Sequence, residues 1–348
     1  MPSATIIGGT GLLGRAVARR LRTAGWSVTV TGRDPGRMPA DLAASGVRFA
    51  AADRDDAAGL AAAVGQGCDL LVDCICFTAA QARLVLPVAR NAGSIVMISS
   101  KAVYVDDAGN HSNSADPPRF AGPVTEDQPT VRPGDMPYDS PEGYGANKVA
   151  AEQVLLDSGL PVTVLRPSKV HGEGARPPRS WYFVKRALDR RPAVLLAGQG
   201  GGADHPSAAV NIAALVEVVA DRPGRRILNA ADPDAPDGLT ISRIIAALTG
   251  HDRREVLLDD DAPAALGRHP WHRVPPVALD ASAARALGYR PVGDFAATVT
   301  AEIGWLLAEA GRRPGWAPPG LDDDLGARWF DYPAEDAWLE TLDPTWAT

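Results

Sequence analysis

The sequence predicts an α/β fold in which a doubly wound parallel sheet carries a smaller C-terminal lobe. Two observations predict it. Segments that are apolar throughout, as strands buried on both faces are, alternate along the chain with stretches of helical periodicity. A glycine-rich turn also joins the first strand to the first helix, which is typical of Rossmann-type sheets.

The elements of the sheet follow one another in order up to residue 167. The apolar segment "ATIIGG" predicts the first strand, and in "GLLGRAVARRLRTAG" apolar residues recur at helical spacing until Gly25 ends the helix. Short runs of β-branched and other apolar residues predict the next strands: "SVTVT", "VRFAAAD", "DLLVDCIC", "SIVMISS" and "PVTVLRP". Helices are expected between them at 38–44, 55–64, 79–91 and 144–158.

Beyond about residue 170 the alternation loosens, which predicts a change of domain. Helices are expected at 180–190, 209–220, 240–249, 280–287 and 294–310, and short strands at "AVLLA", "RILNA" and "EVLLD". We therefore predict one domain over 1–170 and a substrate lobe over 171–311 that is interleaved with the last elements of the sheet. The segment 105–140, rich in Pro, Asp, Ser and Gly, is expected to be either disordered or a functional lid.

The C-terminal segment 312–348 is predicted to be an arm rich in tryptophan. It carries Trp316, Trp329, Trp338 and Trp346 among acidic residues. Such an arm packs either on the body of the protein or on a second subunit. The second alternative would make the protein a homodimer.

Composition excludes several classes of function. The net charge of −7 and the dispersed Lys and Arg residues indicate no nucleic-acid partner. The longest apolar runs have the length of strands, so no membrane span is expected, and the N-terminus does not resemble a signal peptide. The three cysteines give no disulfide framework, and the acidic runs lack the converging ligands of a metal site. We expect a cytoplasmic protein that binds no metal.

The turn "IIGGTGLLG" predicts dinucleotide binding. Gly8, Gly11 and Gly14 lie between a strand and a helix, where glycines allow a tight turn and a close approach of backbone to a diphosphate. The positive end of the helix then faces the phosphates. We assign the residues between these glycines, Thr10, Leu12 and Leu13, to the same site.

The end of the second strand favours NADP, although NAD remains open. NAD-binding chains normally place a carboxylate there for the ribose hydroxyls, whereas this chain has Gly32 followed by Arg33. A guanidinium can bind the 2′-phosphate of NADP through two hydrogen bonds. In the alternative, Arg33 is merely solvated and Asp34 binds the ribose.

Tyr144 and Lys148 form a candidate acid–base pair. Their spacing places them on one face of a helix, where an ammonium group could lower the pKa of a phenol that is ordinarily about 10. The phenol could then exchange a proton with a carbonyl oxygen while hydride is transferred at its carbon. Ser100, at the end of the fifth strand, could donate a hydrogen bond to the same oxygen.

These motifs resemble the extended branch of the short-chain dehydrogenase/reductase superfamily, the NAD(P)-dependent epimerase/dehydratase group. The resemblance is carried by "GGTGLLG", "AAD" at 51–53, "ISSKAVY", "PVTEDQP", "YGANK" and "LRPSKVHGEG", and it covers about residues 4–250. It implies that Tyr144 is the acid–base residue, that Lys148 also binds ribose and that Ser100 binds the substrate oxygen. It further implies that Asp53 contacts adenine and that Pro167 lies near the nicotinamide carboxamide.

Two departures from this group bear on the reaction. Its 4,6-dehydratases have an Asp-Glu pair where this chain has Lys101 and Ala102. Its sugar-nucleotide enzymes usually have a diphosphate-binding arginine near the position of Asp204, although Lys185 or Arg186 could replace it.

We therefore predict an oxidoreductase that transfers hydride between NADP(H) and a carbonyl or secondary alcohol of a small molecule. A sugar-nucleotide epimerase that retains NAD and a cofactor-sensing protein without catalytic activity are the alternatives.

Overall fold

The computed structural model describes residues 1–259 and 261–342, which divide into two compact units. The first unit contains residues 1–170, 206–233 and 277–294. The second contains residues 171–205, 234–276 and the chain from Phe295 onward. The chain thus leaves the first unit and returns to it twice.

Strands and helices alternate along the first part of the chain. The strands are β1 (Ser3–Ile7), β2 (Ser27–Gly32), β3 (Arg48–Ala51), β4 (Cys68–Asp73), β5 (Ala92–Ile98), β6 (Val162–Pro167), β7 (Lys169–His171), β8 (Ala193–Leu196), β9 (Pro206–Ala208), β10 (Arg226–Ala230) and β11 (Arg254–Leu257). The helices are α1 (Leu12–Thr23), α2 (Ala40–Ala44), α3 (Ala57–Val64), α4 (Ala79–Ala89), α5 (Pro141–Leu156), α6 (Trp181–Leu188), α7 (Ala209–Ala220), α8 (Gly238–Thr249), α9 (Ser282–Ala286), α10 (Phe295–Arg312), α11 (Asp323–Trp329) and α12 (Tyr332–Leu342).

A seven-stranded sheet organises the first unit, in the order β10-β6-β5-β4-β1-β2-β3. Every neighbouring pair is parallel, and Ile6 of β1, for example, pairs with Val30 of β2 on one side and Val72 of β4 on the other. The predicted doubly wound parallel sheet is confirmed.

Helices cover both faces of this sheet and bury its apolar side chains. On one face, Val17 and Leu21 of α1 pack with Val216 of α7 against the strands. On the other face, side chains of α3, α4 and α5 form a second core that includes Leu60, Val85 and Leu155. Two buried faces explain why the strands are apolar throughout.

The strand order places a crevice at the carboxyl ends of β1 and β4. The chain proceeds from β1 toward β2 and β3 on one side and from β4 toward β5 and β6 on the other. Open α/β sheets bind ligands at such a switch point. The glycine-rich turn after β1 and the Cys74–Phe77 segment after β4 both lie there.

The second unit has a small parallel pair, β8 and β11, surrounded by helices. Trp181 of α6, Trp271 and Phe295 of α10 are buried in its core. The tail, which the sequence did not resolve into elements, forms α11 and α12 in this unit, and Asp322 caps α11 by accepting a hydrogen bond from Leu325 N. Trp346, which we assigned to the arm, lies outside the described residues.

Segment 105–140 has no helix or strand, but hydrogen bonds hold it in the first unit. Tyr104 at its start forms a bridge with Thr130 and donates its hydroxyl hydrogen to Asn229 at 2.7 Å. Glu126 in turn accepts a hydrogen bond from the backbone of Asn229 at 2.7 Å.

Three strands, β3, β4 and β5, end earlier than the segments "VRFAAAD", "DLLVDCIC" and "SIVMISS" indicate, and the cause is clearest in β4. "DLLVDCIC" was expected to remain extended through Cys76, but β4 ends at Asp73 because the Asp73 carboxylate accepts a hydrogen bond from Ile75 N at 3.0 Å and the chain turns there. None of the helices in the described part of the chain combines the length and the hydrophobicity needed to cross a membrane.

Candidate functional site

The glycine-rich turn brings backbone directly against the start of α1. Gly8 has a φ of +77°, a region that favours glycine, and a Cβ placed there would lie 2.9 Å from Cγ2 of Ile75. Gly11 N donates a hydrogen bond to Gly8 O at 3.1 Å. Gly14 lies in the first turn of α1, beside Leu12 and Leu13. The turn is therefore tight, and a side chain would fit neither at Gly8 nor at Gly14, where a Cβ would lie 2.5 Å from Gly8 O.

The N-terminus of α1 is suited to an anion. Its cap residue, Gly11, has no side chain that could accept hydrogen bonds from the first backbone N–H groups. Within the described residues, the first turn of α1 also contains no Asp or Glu. Unpaired N–H groups and the helix dipole together attract a phosphate.

A cavity of about 520 Å³ adjoins this turn within the first unit. Its lining includes five of the predicted coenzyme contacts, namely Gly8, Thr10, Gly11, Arg33 and Asp53. It also includes residues that the sequence analysis did not identify, namely Arg37, Arg54, Phe77, Gln81 and Tyr138. Leu12, Leu13, Gly14, Lys148 and Pro167 are predicted contacts that do not line this cavity.

The end of β2 presents an arginine to the cavity, and a side chain at Gly32 would make close contacts with its neighbours. A Cβ added to Gly32 would lie 3.2 Å from Thr10 Oγ1 and 3.3 Å from Phe49 Cε2. Arg33 is exposed beside it. Asp34 also lines the cavity, but its carboxylate accepts a hydrogen bond from Gly36 N at 2.8 Å and so stabilises the local turn.

Arg54, which lines the cavity, forms a buried ion pair with Asp73. Arg54 Nη2 lies 2.6 Å from the Asp73 carboxylate and donates a second hydrogen bond to Gln81 O at 2.9 Å. Burial raises the pKa of the Asp73 carboxyl above its ordinary value, and the Arg54 guanidinium opposes this shift. Asp53 itself accepts a hydrogen bond from Asp55 N at 3.0 Å. The sequence analysis missed Arg54, although its position directly after the "AAD" motif could have identified it.

Lys148 of α5 is buried where β4 and β5 end. Its ammonium donates hydrogen bonds to Cys76 O at 2.8 Å and Ile98 O at 2.9 Å, and it lies 4.3 Å from the centre of the Phe77 ring. Burial lowers the pKa of Lys148 to about 8, and the neighbouring Cys76 and Asp73 oppose this decrease.

Tyr144 and Ser100 lie together one helical turn away from Lys148. The Ser100 side chain interacts with the Tyr144 phenol, and its oxygen also accepts a hydrogen bond from Ala102 N at 3.1 Å. Close packing makes this possible, because a Cβ at Gly145 would lie 2.6 Å from Ala102 O. The three residues predicted to act together thus lie at one end of the sheet.

The phenol differs from the expectation in one respect. We expected Lys148 to lower the pKa of Tyr144, whereas burial raises it and only the interaction with Ser100 opposes the increase. The Lys148 ammonium is directed at two backbone carbonyls. A lowered pKa would therefore require further positive charge at the phenol.

An aromatic pair lies over this region. Tyr138, near the end of segment 105–140, stacks on Phe77 with ring centres 5.2 Å apart and planes 20° from parallel. Phe77 in turn lies 6.5 Å from the Tyr144 ring. The segment predicted to be either disordered or a lid thus contributes the side chain of Tyr138 to the cavity wall. Pro167, by contrast, is buried at the end of β6.

The described ranges, 1–259 and 261–342, contain no group of three or more His, Cys, Asp or Glu side chains arranged to hold a metal ion. The cysteines at 68, 74 and 76 are free thiols, and burial raises the pKa of each.

Comparison with known proteins gives one family. A family model described as "NAD dependent epimerase/dehydratase family" matches residues 4–203, which confirms the resemblance seen in the motifs. No curated protein sequence matches the chain.

Solved structures share the fold at low sequence identity. UDP-glucose-4-epimerase from Stenotrophomonas maltophila, with bound NAD and formylated UDP-arabinopyranose, has a TM-score of 0.68 at 18% identity, over 90% of this chain and 100% of that one. dTDP-glucose 4,6-dehydratase from Bacillus anthracis str. Ames in complex with NAD has a TM-score of 0.66 at 15% identity, over 89% and 98%. UDP-N-acetylglucosamine 4-epimerase from Bacillus cereus has a TM-score of 0.64 at 17% identity, over 88% and 99%.

The buried ammonium predicts how stability depends on pH. Because the folded-state pKa of Lys148 lies near 8 and the ordinary value is 10.5, the unfolded chain binds more protons between these values, and stability rises with pH there. Replacing Lys148 by Met removes this contribution. We expect the free energy of unfolding of the wild type, relative to Lys148→Met, to increase by about 2 kcal/mol between pH 8 and 9.5. Urea unfolding at both pH values measures it, and a difference that does not change with pH would contradict it.

Proposed function

Because the chain belongs to the NAD dependent epimerase/dehydratase family, we propose that it is an NADP-dependent oxidoreductase acting on a carbonyl or secondary alcohol of a small molecule. The observation that carries the proposal is the placement of Ser100, Tyr144 and the buried Lys148 at the ends of β4 and β5. A protein that only sensed the coenzyme would need no such acid–base group.

The residues of the first unit fit a dinucleotide. The tight turn at Gly8 and the uncapped N-terminus of α1 would hold the diphosphate, and Asp53, which also lines the cavity, would contact adenine. The bound coenzyme would supply or accept the hydride.

The preference for NADP rests on the end of β2. The position that usually carries the ribose-binding carboxylate is Gly32, where a side chain would be crowded, and Asp34 is engaged with Gly36 N. Arg33 and Arg37 both line the cavity and would attract a 2′-phosphate.

In reduction, Tyr144 would donate its phenolic proton to the carbonyl oxygen as hydride reaches the carbon, giving the secondary alcohol; oxidation is the reverse. Ser100 would donate a hydrogen bond to that oxygen and orient it. Lys148 would hold its ammonium between the sheet and the coenzyme ribose. Positive charge from an oxidised nicotinamide would offset the burial that raises the pKa of Tyr144.

The same geometry gives no support to dehydration. After Ser100 the chain has Lys101, which is buried, and Ala102, so the Asp-Glu pair of the dehydratases has no counterpart here.

An epimerase acting on sugar nucleotides is the second candidate, favoured by the family description and by the fold. Its diphosphate would need cationic partners. Arg186 is ion-paired with buried Glu335, and Lys185 with Asp189 at 2.6 Å, so neither is readily available as a replacement. Arg273 lies 3.7 Å from the Asp204 carboxylate, which weakens the repulsion we expected from Asp204 but adds no net positive charge.

We expect Tyr144→Phe to lower the rate of carbonyl reduction by ~10²–10⁴-fold and to leave coenzyme affinity nearly unchanged, because only the proton donor is lost. Steady-state kinetics and coenzyme titration measure the two effects. Tyr289→Phe, a buried tyrosine in the same unit, serves as the matched control. Near-normal rates in Tyr144→Phe would refute the catalytic assignment.

We expect Arg33→Ala to weaken NADPH binding by roughly ten- to hundredfold and NADH binding much less, since a hydrogen bond to a charged group contributes on the order of 1.5–3 kcal/mol. Fluorescence titration of both coenzymes gives the ratio. Arg90→Ala, at the exposed end of α4, should leave both affinities unchanged. If Arg33→Ala lowered both affinities equally, Arg33 would have no role in recognising the phosphate.

We expect uridine and thymidine diphosphate sugars not to bind the complex with coenzyme, because Lys185, Arg186 and Arg273 are each paired with a carboxylate and a buried diphosphate would lose its hydration without compensation. Calorimetric titration of these sugars into the complex tests this. Titration of the coenzyme into the free protein is the positive control, since it shows that the protein is folded. Micromolar binding of any of these sugars would restore the epimerase interpretation.

A further inference from the structure

The Phe77 ring lies between the proposed coenzyme cavity and the buried Lys148 ammonium. Phe77 lines the cavity of about 520 Å³ that adjoins the glycine-rich turn. The centre of its ring is also 4.3 Å from Nζ of Lys148, which is 2% exposed and does not line that cavity. One aromatic ring therefore borders the space assigned to the coenzyme and contacts the ammonium that would bind its ribose.

The contacts of Lys148 leave a ribose one way to reach it. An ammonium group has three N–H donors, and Lys148 uses two of them for the carbonyl oxygens of Cys76 and Ile98. Those carbonyls belong to backbone at the ends of β4 and β5, which the sheet holds in place. The remaining neighbour, the Phe77 ring, is a side chain that can rotate. A ribose that binds Lys148 must therefore take the place of this ring.

Tyr138 stabilises the Phe77 ring in its present position. The two rings stack with centres 5.2 Å apart and planes 20° from parallel. The backbone beside Tyr138 is fixed, because Ser140 Oγ donates a hydrogen bond to Pro137 O at 2.7 Å and a Cβ at Gly143 would lie 2.1 Å from that oxygen. The Tyr138 side chain, by contrast, is 45% exposed. Its ring can move into solvent without a change in the backbone.

The backbone of Phe77 is fixed as well. Phe77 N donates a hydrogen bond to Gln81 Oε1 at 2.8 Å, and Gln81 N donates one to Thr78 Oγ1 at the start of α4. Phe77 itself is only half-buried. Rotation of the two aromatic side chains is therefore the motion that uncovers Lys148.

We propose that the Phe77 ring is a gate, which covers Lys148 in the free protein and rotates away when the nicotinamide ribose of the coenzyme binds this ammonium. Stacking of Tyr138 on Phe77 stabilises the closed position. The adenosine half of the coenzyme, placed at Arg33 and Asp53, needs no opening of the gate. The inference rests on the proposed function, because it takes Lys148 as the ligand of the ribose.

The test compares NADP with 2′,5′-ADP, which contains the adenine and the 2′-phosphate but no nicotinamide ribose. Phe77→Ala should tighten the binding of NADP by roughly three- to tenfold, since the ring contacts no longer have to be broken before the ribose binds. The affinity for 2′,5′-ADP should not change. Calorimetric titration of the full-length protein measures both affinities.

Variants of Tyr138 test its role in the closed position. Tyr138→Ala should tighten NADP binding less than Phe77→Ala does, because it removes only the stack. Tyr138→Phe keeps the stacked ring and should bind NADP as the wild type does. In the Phe77→Ala background, Tyr138→Ala should have no further effect, since Tyr138 acts through the Phe77 ring. Circular dichroism confirms that each variant is folded.

If Phe77→Ala left NADP binding unchanged or weakened it, the gate would be refuted while the proposed function stood. An equal gain in affinity for 2′,5′-ADP would also refute the gate, because the effect would then not lie at the nicotinamide end. If neither NADP nor 2′,5′-ADP bound the wild type, the proposed function would fail and the gate with it.

Discussion

The placement of the buried Lys148 ammonium is the constraint on which the rest of the site depends. Removing such a group from water is costly, and here the pKa of Lys148 falls to about 8. Carbonyl oxygens of Cys76 and Ile98 and the face of the Phe77 ring offset part of that cost. These groups come from the end of β5 and from the segment that follows β4, so the charge fixes α5 against the ends of two strands. Tyr144, one turn earlier on α5, is thereby positioned beside Ser100.

Local sequence patterns predicted each part of this arrangement, and the fold of the sheet brings those parts together. Helical spacing was enough to place Tyr144 and Lys148 on one face, and the end of an apolar strand was enough to place Ser100 in the crevice. Gly145 completes the arrangement, because only the absence of a side chain lets α5 approach the backbone at Ala102. The parallel sheet was predictable for the same reason: strands buried on two faces are apolar throughout.

What the sequence could not give depends on contacts between distant segments. The Arg54–Asp73 ion pair joins the residue after "AAD" to the end of β4, and the Phe77–Tyr138 stack joins the two sides of the cavity, without any local pattern that would pair them. The raised pKa of Tyr144 likewise arises from burial, which spacing along a helix does not reveal. In the second unit, α11 and α12 became visible only in the structure, because their short segments bury few side chains and show little periodicity.

The most direct test of an NADP-dependent reaction is the nucleotide that the purified protein carries. Net transfer of hydride to a substrate requires a coenzyme that exchanges with solution, whereas an epimerase reoxidises the same NAD in every turnover and retains it. Denaturing the protein and identifying any released nucleotide by mass decides between them. We predict NADP or NADPH in amounts that dialysis lowers. Stoichiometric NAD that survives dialysis would contradict the proposed function and indicate an epimerase.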